Sequence, residues 1–136
     1  MTLHVEVVSP ERILWTGEAQ LVLARTLGGG DIAFLTGHAP FVGALDLHEV
    51  VVRAEDGSDE VIAVHGGFIE VSNDRVTVLS DVAEVSSQID VERARAAQER
   101  AEGALRSGED AEAEAALRRA QVRLRAATGT TAAAGH

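Results

Sequence analysis

The feature that most constrains this chain is a seam at Ile89-Asp90-Val91-Glu92-Arg93-Ala94, where a valine-rich, acidic segment gives way to one rich in alanine and arginine. The spacing of apolar residues changes there from about two to about 3.6, so no single kind of secondary structure can run through the whole chain. Charge changes at the same point. Met1 to Gln88 holds fourteen acids against four arginines, which is the entire net charge of -10, and Ile89 to His136 holds eight of each. Such a boundary predicts two modules whose surfaces suit different partners. A chain of 136 residues has room for one ordinary core of roughly 80 to 90 residues plus an appendage that must lean on it.

Before the seam, Leu3, Val5 and Val7 alternate with His4 and Glu6, and Ser9-Pro10-Glu11 ends the run, as expected of a half-buried strand followed by a turn. Further short strands are expected at Ile13 to Trp15, Ala19 to Ala24, Ile32 to Leu35, Phe41 to Leu45, Val50 to Arg53, Val61 to His65, Phe68 to Val71 and Arg75 to Leu79. Turn residues separate them, among them Gly28-Gly29-Gly30-Asp31, Gly37-His38-Ala39-Pro40, Asp56-Gly57, Gly66-Gly67 and Asn73-Asp74. After the seam, Asp90 is a good helix N-cap, with Glu92 adding favourable charge in the first turn. That helix is expected to run to Arg106, to break at Ser107-Gly108-Glu109-Asp110, and to be followed by a second, antiparallel helix to Ala127. The inward stripes are Ala94, Ala97, Ala101, Ala104 and Leu105, then Ala113, Ala116, Leu117, Ala120 and Leu124. Alanine stripes favour helix but give little cohesion, so the hairpin should form and detach easily. The predicted fold is therefore a two-part α+β chain: an N-terminal antiparallel β-sandwich over 1–88, a C-terminal antiparallel two-helix hairpin over 89–127, and a disordered tail over 128–136.

Composition narrows the function. Without cysteine there is neither a disulfide framework nor a thiolate metal site, and the five histidines show no metal spacing. The start of the chain does not read as a signal peptide, and no apolar run approaches the ~20 residues of a membrane span, so a cytoplasmic protein without direct membrane insertion is expected. The acidic body argues against nucleic acid. No serine nucleophile motif and no distinct carboxylate pair is present, and with no lysine in the chain the triple glycine lacks the partner of a phosphate loop.

Two groups of residues remain. Asp90, Arg93 and Arg100 share one helical strip, which reads either as a cap with two solvated arginines or as an anion grip, the carboxylate meeting a ribose or adenine amino group and the guanidiniums phosphate. Arg118, Arg119, Arg123 and Arg125 follow the last acid, Glu114, and read either as complements of the helix dipole or as a docking arm for an acidic partner.

The opening Leu3-His4-Val5-Glu6-Val7-Val8-Ser9-Pro10-Glu11, Gly17, the Gly30-Asp31 loop leading to Thr36-Gly37-His38-Ala39-Pro40, and Gly66-Gly67-Phe68-Ile69-Glu70-Val71 together resemble the epsilon subunit of the bacterial F-type ATP synthase. The resemblance covers about residues 3 to 127. It implies a non-catalytic central-stalk subunit of a proton-translocating enzyme, peripheral on the cytoplasmic face of the plasma membrane, that couples the gamma subunit to the c ring. Asp31 and His38 would lie near the c-ring contact. The hairpin, folded down or extended along gamma, would restrain ATP hydrolysis, with Arg118, Arg119, Arg123 and Arg125 meeting an acidic stretch of the beta subunit. In some members the folded hairpin binds ATP as a regulatory ligand through Ile or Leu, Asp, two free positions, Arg and Ala. Ile89, Asp90, Arg93 and Ala94 match that motif, and Glu84, Arg100 and Arg123 stand where its other polar groups are expected. No cofactor is implied. Thr36, Ala33 and His48 depart from the usual residues of the contact loops. A stand-alone nucleotide-sensing module, or a generic acidic scaffold with a helical tail, is the alternative reading.

Overall fold

The computed structural model describes residues 1–108 and 110–128. Eight strands come first: β1 (Leu3–Val8), β2 (Ile13–Ala19), β3 (Leu21–Thr26), β4 (Gly30–Leu35), β5 (Phe41–Arg53), β6 (Asp59–Ser72), β7 (Arg75–Leu79) and β8 (Ala83–Val85). A single 3₁₀ turn, Ser86–Gln88, leads to helices α1 (Val91–Arg106) and α2 (Ala111–Thr128). Residues 129–136 of the expected tail lie outside the described residues, and Thr128 is not tail but the last residue of α2, its hydroxyl donating to the carbonyl of Leu124.

The hydrogen-bonded order is β2-β1-β7-β6-β5-β3-β4, with β8 paired to β6. Most pairs are antiparallel, but β1 and β7 run parallel. This is possible because a long crossover, and not a hairpin, joins them. Two of the expected strand pairs are fused: Phe41 to Leu45 with Val50 to Arg53 in β5, and Val61 to His65 with Phe68 to Val71 in β6. The polar residues that suggested a break in β5 instead pair across the sheet, His48 with Val64 and Glu49 with Ala63. Conversely, Gln20 divides the expected Ala19 to Ala24 strand, and β8 has too few residues to show a pattern.

Because β5 and β6 are long, they serve both layers. Phe41 to Leu45 pairs with Gly67 to Val71 on the side of β7, and Leu47 to Arg53 pairs with Asp59 to His65 on the side of β8. The corner lies at Gly66 and Gly67, whose φ angles of 82° and 122° belong to glycine. Both halves then close on one core containing Leu3, Val5, Val22, Phe34, Ile62, Ile69 and Val76. Trp15 and Phe41 pack against its margin, and Phe68 points to solvent.

The helices also depart from the expected stripes in detail. Asp90 caps α1 by accepting a 3.1 Å hydrogen bond from the Arg93 amide. Ala94 and Ala101 are buried as expected, whereas Ala104 is exposed in the last turn of α1, where the two helices are joined. In α2, Ala113 and Ala120 are buried, and so are Val122 and Ala126, which lie on a second apolar face.

A side chain at position 67 would overlap the Leu79 carbonyl, whereas one at Gly57, which also has positive φ (88°), would meet only open space. Gly67→Ala is therefore expected to destabilise the sandwich by about 3 kcal/mol or more, and Gly57→Ala by about 1 kcal/mol, in urea unfolding.

Candidate functional site

α2 carries the attachment of the hairpin. Val122 and Ala126 join Val61, Ala63 and Ile89 in a small second apolar cluster, flanked by Leu47 and Ala127. A buried methyl contributes about 0.8 kcal/mol and a buried valine or isoleucine about 1.5 to 3 kcal/mol, so this seam is thin beside the sandwich core. It should open before the sandwich does.

Three guanidiniums reach across the seam. Arg118 lies 3.2 Å from Asp46, Arg123 Nε donates to Glu84 Oε1 at 2.6 Å, and Arg125 Nε donates to Glu49 Oε1 at 2.9 Å. Arg119 turns along its own helix to Glu112 at 2.8 Å. The expectation of an uncompensated cationic run is thus overturned, because acids far away in the chain converge on α2 and the linear order of charges does not show it. The Glu49 pair is of a different kind from the Arg118 pair. The Glu49 side chain is 0% exposed, while those of Arg118 and Asp46 are 59% and 31% exposed. The second oxygen of Glu49 has no hydrogen-bond partner among the described residues, and His48 Nε2 lies 3.8 Å from it.

Between α1 and α2 and above β8 is a cleft of about 440 Å³. Glu84, Asp90, Arg93, Ala94, Arg100 and Arg123, drawn from three elements, all line it. Of the residues singled out for nucleotide, only Ile89 is elsewhere: it is buried beneath α2 in the small apolar cluster. Gln88, Ala97, Ala116 and Arg119 line the cleft as well. The alanines had been assigned only to helix packing, and Arg119 only to the partner arm. The signal for Arg119 was its like charge four residues from Arg123, an arrangement that is unfavourable unless something anionic lies between them. Two carboxylates and four guanidiniums around an open cleft suit a ligand with hydrogen-bond donors at one end and several negative charges at the other.

His65 lies beside Glu84 and Arg123, its Nε2 3.5 Å from Glu84 and its side chain 7% exposed. Neither ring nitrogen has a hydrogen-bond partner among the described residues. Burial, with the nearby Arg123 cation, holds its pKa below the ordinary imidazole range, although Glu84 opposes this. Burial likewise lowers that of His48, against the pull of Glu49.

Asp31 and His38 are not brought together. Asp31, near the start of β4, takes a two-pronged contact from Arg25 at 2.8 and 3.3 Å. His38 lies beyond the far end of that strand, its ring 4.9 Å from that of Phe34. The sandwich also presents an exposed apolar row that the sequence reading missed. The strand register sets Ile13 beside Val8, Val8 beside Leu79, Leu79 beside Phe68 and Phe68 beside Ala44. Ile13, Leu79 and Phe68 all face solvent. Among the described residues no group of metal-ligating side chains is gathered, and no helix is long and apolar enough to cross a membrane.

A sandwich with a two-helix appendage of this order defines a class. Residues 2–86 match the family model described as the beta-sandwich domain of the ATP synthase delta/epsilon chain, and residues 87–128 match the long alpha-helix domain of the same chain. An ATP synthase epsilon chain of Streptomyces griseus is 48% identical over 124 residues, 91% of this chain and 94% of that relative. One of Thermobifida fusca is 45% identical over 134 residues, 96% of each. The chain belongs to the ATP synthase epsilon-chain family, whose members are non-catalytic subunits of that enzyme. The fold is similar to a chain in the Euglena gracilis mitochondrial ATP synthase OSCP/F1/c-ring structure, with a TM-score of 0.77 at 23% identity over 93% of this chain and 81% of that one. It is also similar to a chain of the Tetrahymena thermophila central stalk and c-ring structure, with a TM-score of 0.55 at 14% identity over 96% and 98%.

Arg125→Ala leaves a buried carboxylate without its partner and is expected to weaken hairpin docking by about 2 kcal/mol, seen as faster amide exchange in α2 while β1 and β7 are unchanged. Arg118→Ala, at an exposed pair, should change docking by about 0.5 kcal/mol or less in the same measurement. With both pKa values depressed in the docked chain, His48 and His65 take up protons more readily once it opens. Docking is therefore at full strength above about pH 6.5 and weakens as pH falls below that value. Replacing His65 with leucine should reduce this acid sensitivity in helix melting followed by circular dichroism.

Proposed function

We propose that this chain is a central-stalk subunit that couples the gamma subunit to the c ring of a proton-translocating ATP synthase, on the cytoplasmic face of the plasma membrane. Its hairpin restrains ATP hydrolysis when it leaves the sandwich. The observation that carries this reading is the attachment of α2 by five apolar residues and three ion pairs across the seam. An attachment of this size allows docked and released forms to differ by only a few kcal/mol, so a partner can decide between them. Once released, Arg118, Arg119, Arg123 and Arg125 exchange their acids in this chain for an acidic stretch of a beta subunit at little net cost. The exposed row of Ile13, Leu79 and Phe68 offers gamma a permanent seat that does not involve the hairpin. Asp31 and His38, at opposite ends of β4, supply polar groups near the c ring.

ATP is proposed as a regulatory ligand of the cleft. Glu84 and Asp90 accept hydrogen bonds from the adenosine end and Arg93, Arg100 and Arg123 hold phosphates, so the bound nucleotide ties α1 to α2 and keeps the hairpin down. No cofactor is needed for coupling. A stand-alone nucleotide sensor would use the same cleft, and it differs in one outcome: it would not copurify with gamma and beta subunits.

Deleting the chain from Asp90 onward is expected to leave the enzyme assembled and to raise its ATP hydrolysis several-fold, because the sandwich has a core of its own. Unchanged hydrolysis would remove the braking role. Titration of the isolated full-length chain with ATP should give saturable amide shifts around Asp90, Arg93 and Arg100 that vanish in Arg93→Ala.

A further inference from the structure

We propose that the margin of the sandwich holds a recognition site for an arginine side chain of a basic partner protein, with Trp15 as its flat wall and Glu60 as its counter-ion. The site shares no residue with the cleft and does not depend on the reading of the hairpin.

The two layers leave a pocket of about 160 Å³ between Trp15 on β2 and Val52, Ala54, Ser58 and Glu60 at the β5 to β6 hairpin. Alternation along β6 decides which of its side chains turn this way. Ile62 and Val64 belong to the sandwich core, whereas Val61 and Ala63 belong to the cluster beneath α2. With a period of two, Glu60 continues the inward row of Ile62 and Val64. A carboxylate therefore stands where the pattern calls for an apolar residue. It is half-buried, and no hydrogen bond or ion pair reaches it among the described residues. Arg53, at the end of the neighbouring strand, is taken by Asp59 in a two-pronged contact at 2.8 and 3.1 Å. A local rule broken with no compensation inside the chain points to a partner outside it.

The opposite wall is aromatic. The Trp15 ring folds back over Gly17, where an added Cβ would lie 2.6 Å from Cη2 and 2.9 Å from Cζ2, so the glycine is what lets the ring lie flat along the strand. An indole face attracts a cation, and the carboxylate across the pocket pairs with it. A guanidinium can do both at once, because it is planar enough to stack and forked enough to meet two carboxylate oxygens, whereas an ammonium is a strongly hydrated point charge. Val52 and Ala54 suit the methylenes of the same side chain. The surrounding charge favours an arginine carried by a protein. Glu18 and Asp59 also line the pocket and Glu55 and Asp56 form the adjoining turn, all of them exposed. Their negative potential draws in a basic segment, but it repels the carboxylate that a free amino acid would bring with it.

Trp15 is the one tryptophan of the chain, so its emission reports on the pocket directly. The test is a fluorescence titration of the full-length chain with acetyl-Gly-Arg-Gly-amide, with the lysine and citrulline versions of that peptide, and with free L-arginine. The arginine peptide is expected to give a saturable change in the millimolar range, the lysine peptide to bind about threefold more weakly, and the uncharged citrulline peptide to give none. Glu60→Gln should weaken the arginine peptide about tenfold while its urea-unfolding midpoint is unchanged or higher. Glu70→Gln, which removes the same charge from an exposed position in the other layer, should leave binding unchanged. The site is overturned if the arginine peptide gives no saturable change, if citrulline does as well, or if Glu70→Gln costs as much as Glu60→Gln. A lower urea midpoint in Glu60→Gln would make that carboxylate a structural group of the sandwich and overturn its role as a waiting counter-ion. Free L-arginine binding as tightly as the peptide would assign the pocket to the amino acid and overturn the protein partner.

Discussion

The buried carboxylate of Glu49 sets the terms on which the two parts of this protein meet. A charge with 0% of its side chain exposed is costly in the interior of a strand unless a partner is supplied, and the partner, Arg125, comes from the other end of the chain. Docking of α2 thus covers a group that the sandwich alone cannot satisfy. If α2 were to leave, water would reach Glu49, and its charge would be solvated again. The pair is therefore specific in the docked form without making that form irreversible, which fits a hairpin attached by few apolar contacts.

The same economy of groups appears in the cleft. Arg123 ties α2 to β8 through Glu84 and also lines the space between the helices, so a ligand there bears directly on the seam. Asp90 caps α1 and faces the cleft at once. Its role as a cap does not compete with a role toward ligand, because a carboxylate has more acceptor positions than the Arg93 amide uses. His65, buried beside Glu84 and Arg123, adds a group whose protonation disturbs the same pair.

Much of the fold was legible because the relevant signals are local. Alternation in Leu3 to Val7 gave a strand, Asp90 gave a cap, and Ser107-Gly108 gave the break between helices, each within a few residues. What was misread depended on distance. Glu49 fell between two expected strands that are in fact one, and its place inside β5 depends on Arg125, which lies 76 positions away. Arg118 and Arg125 were read as complements of the helix dipole or as a docking arm, since the acids they pair with belong to β5. Six of the seven residues singled out for nucleotide line the cleft, while Arg119 was missed there because its position depends on how α2 lies against α1.

The sequence by itself determined that there are two modules, where they join, and which is strand and which is helix, because periodicity, caps and alanine stripes act over a single turn or strand. Only the tertiary structure decided which face of α2 meets the sandwich, which acid each arginine takes, and that Glu84, Asp90, Arg93, Arg100, Arg119 and Arg123 share one cleft. Ion pairs and clefts are set by distances in space, and the order of residues along a chain does not contain those distances until the core has closed.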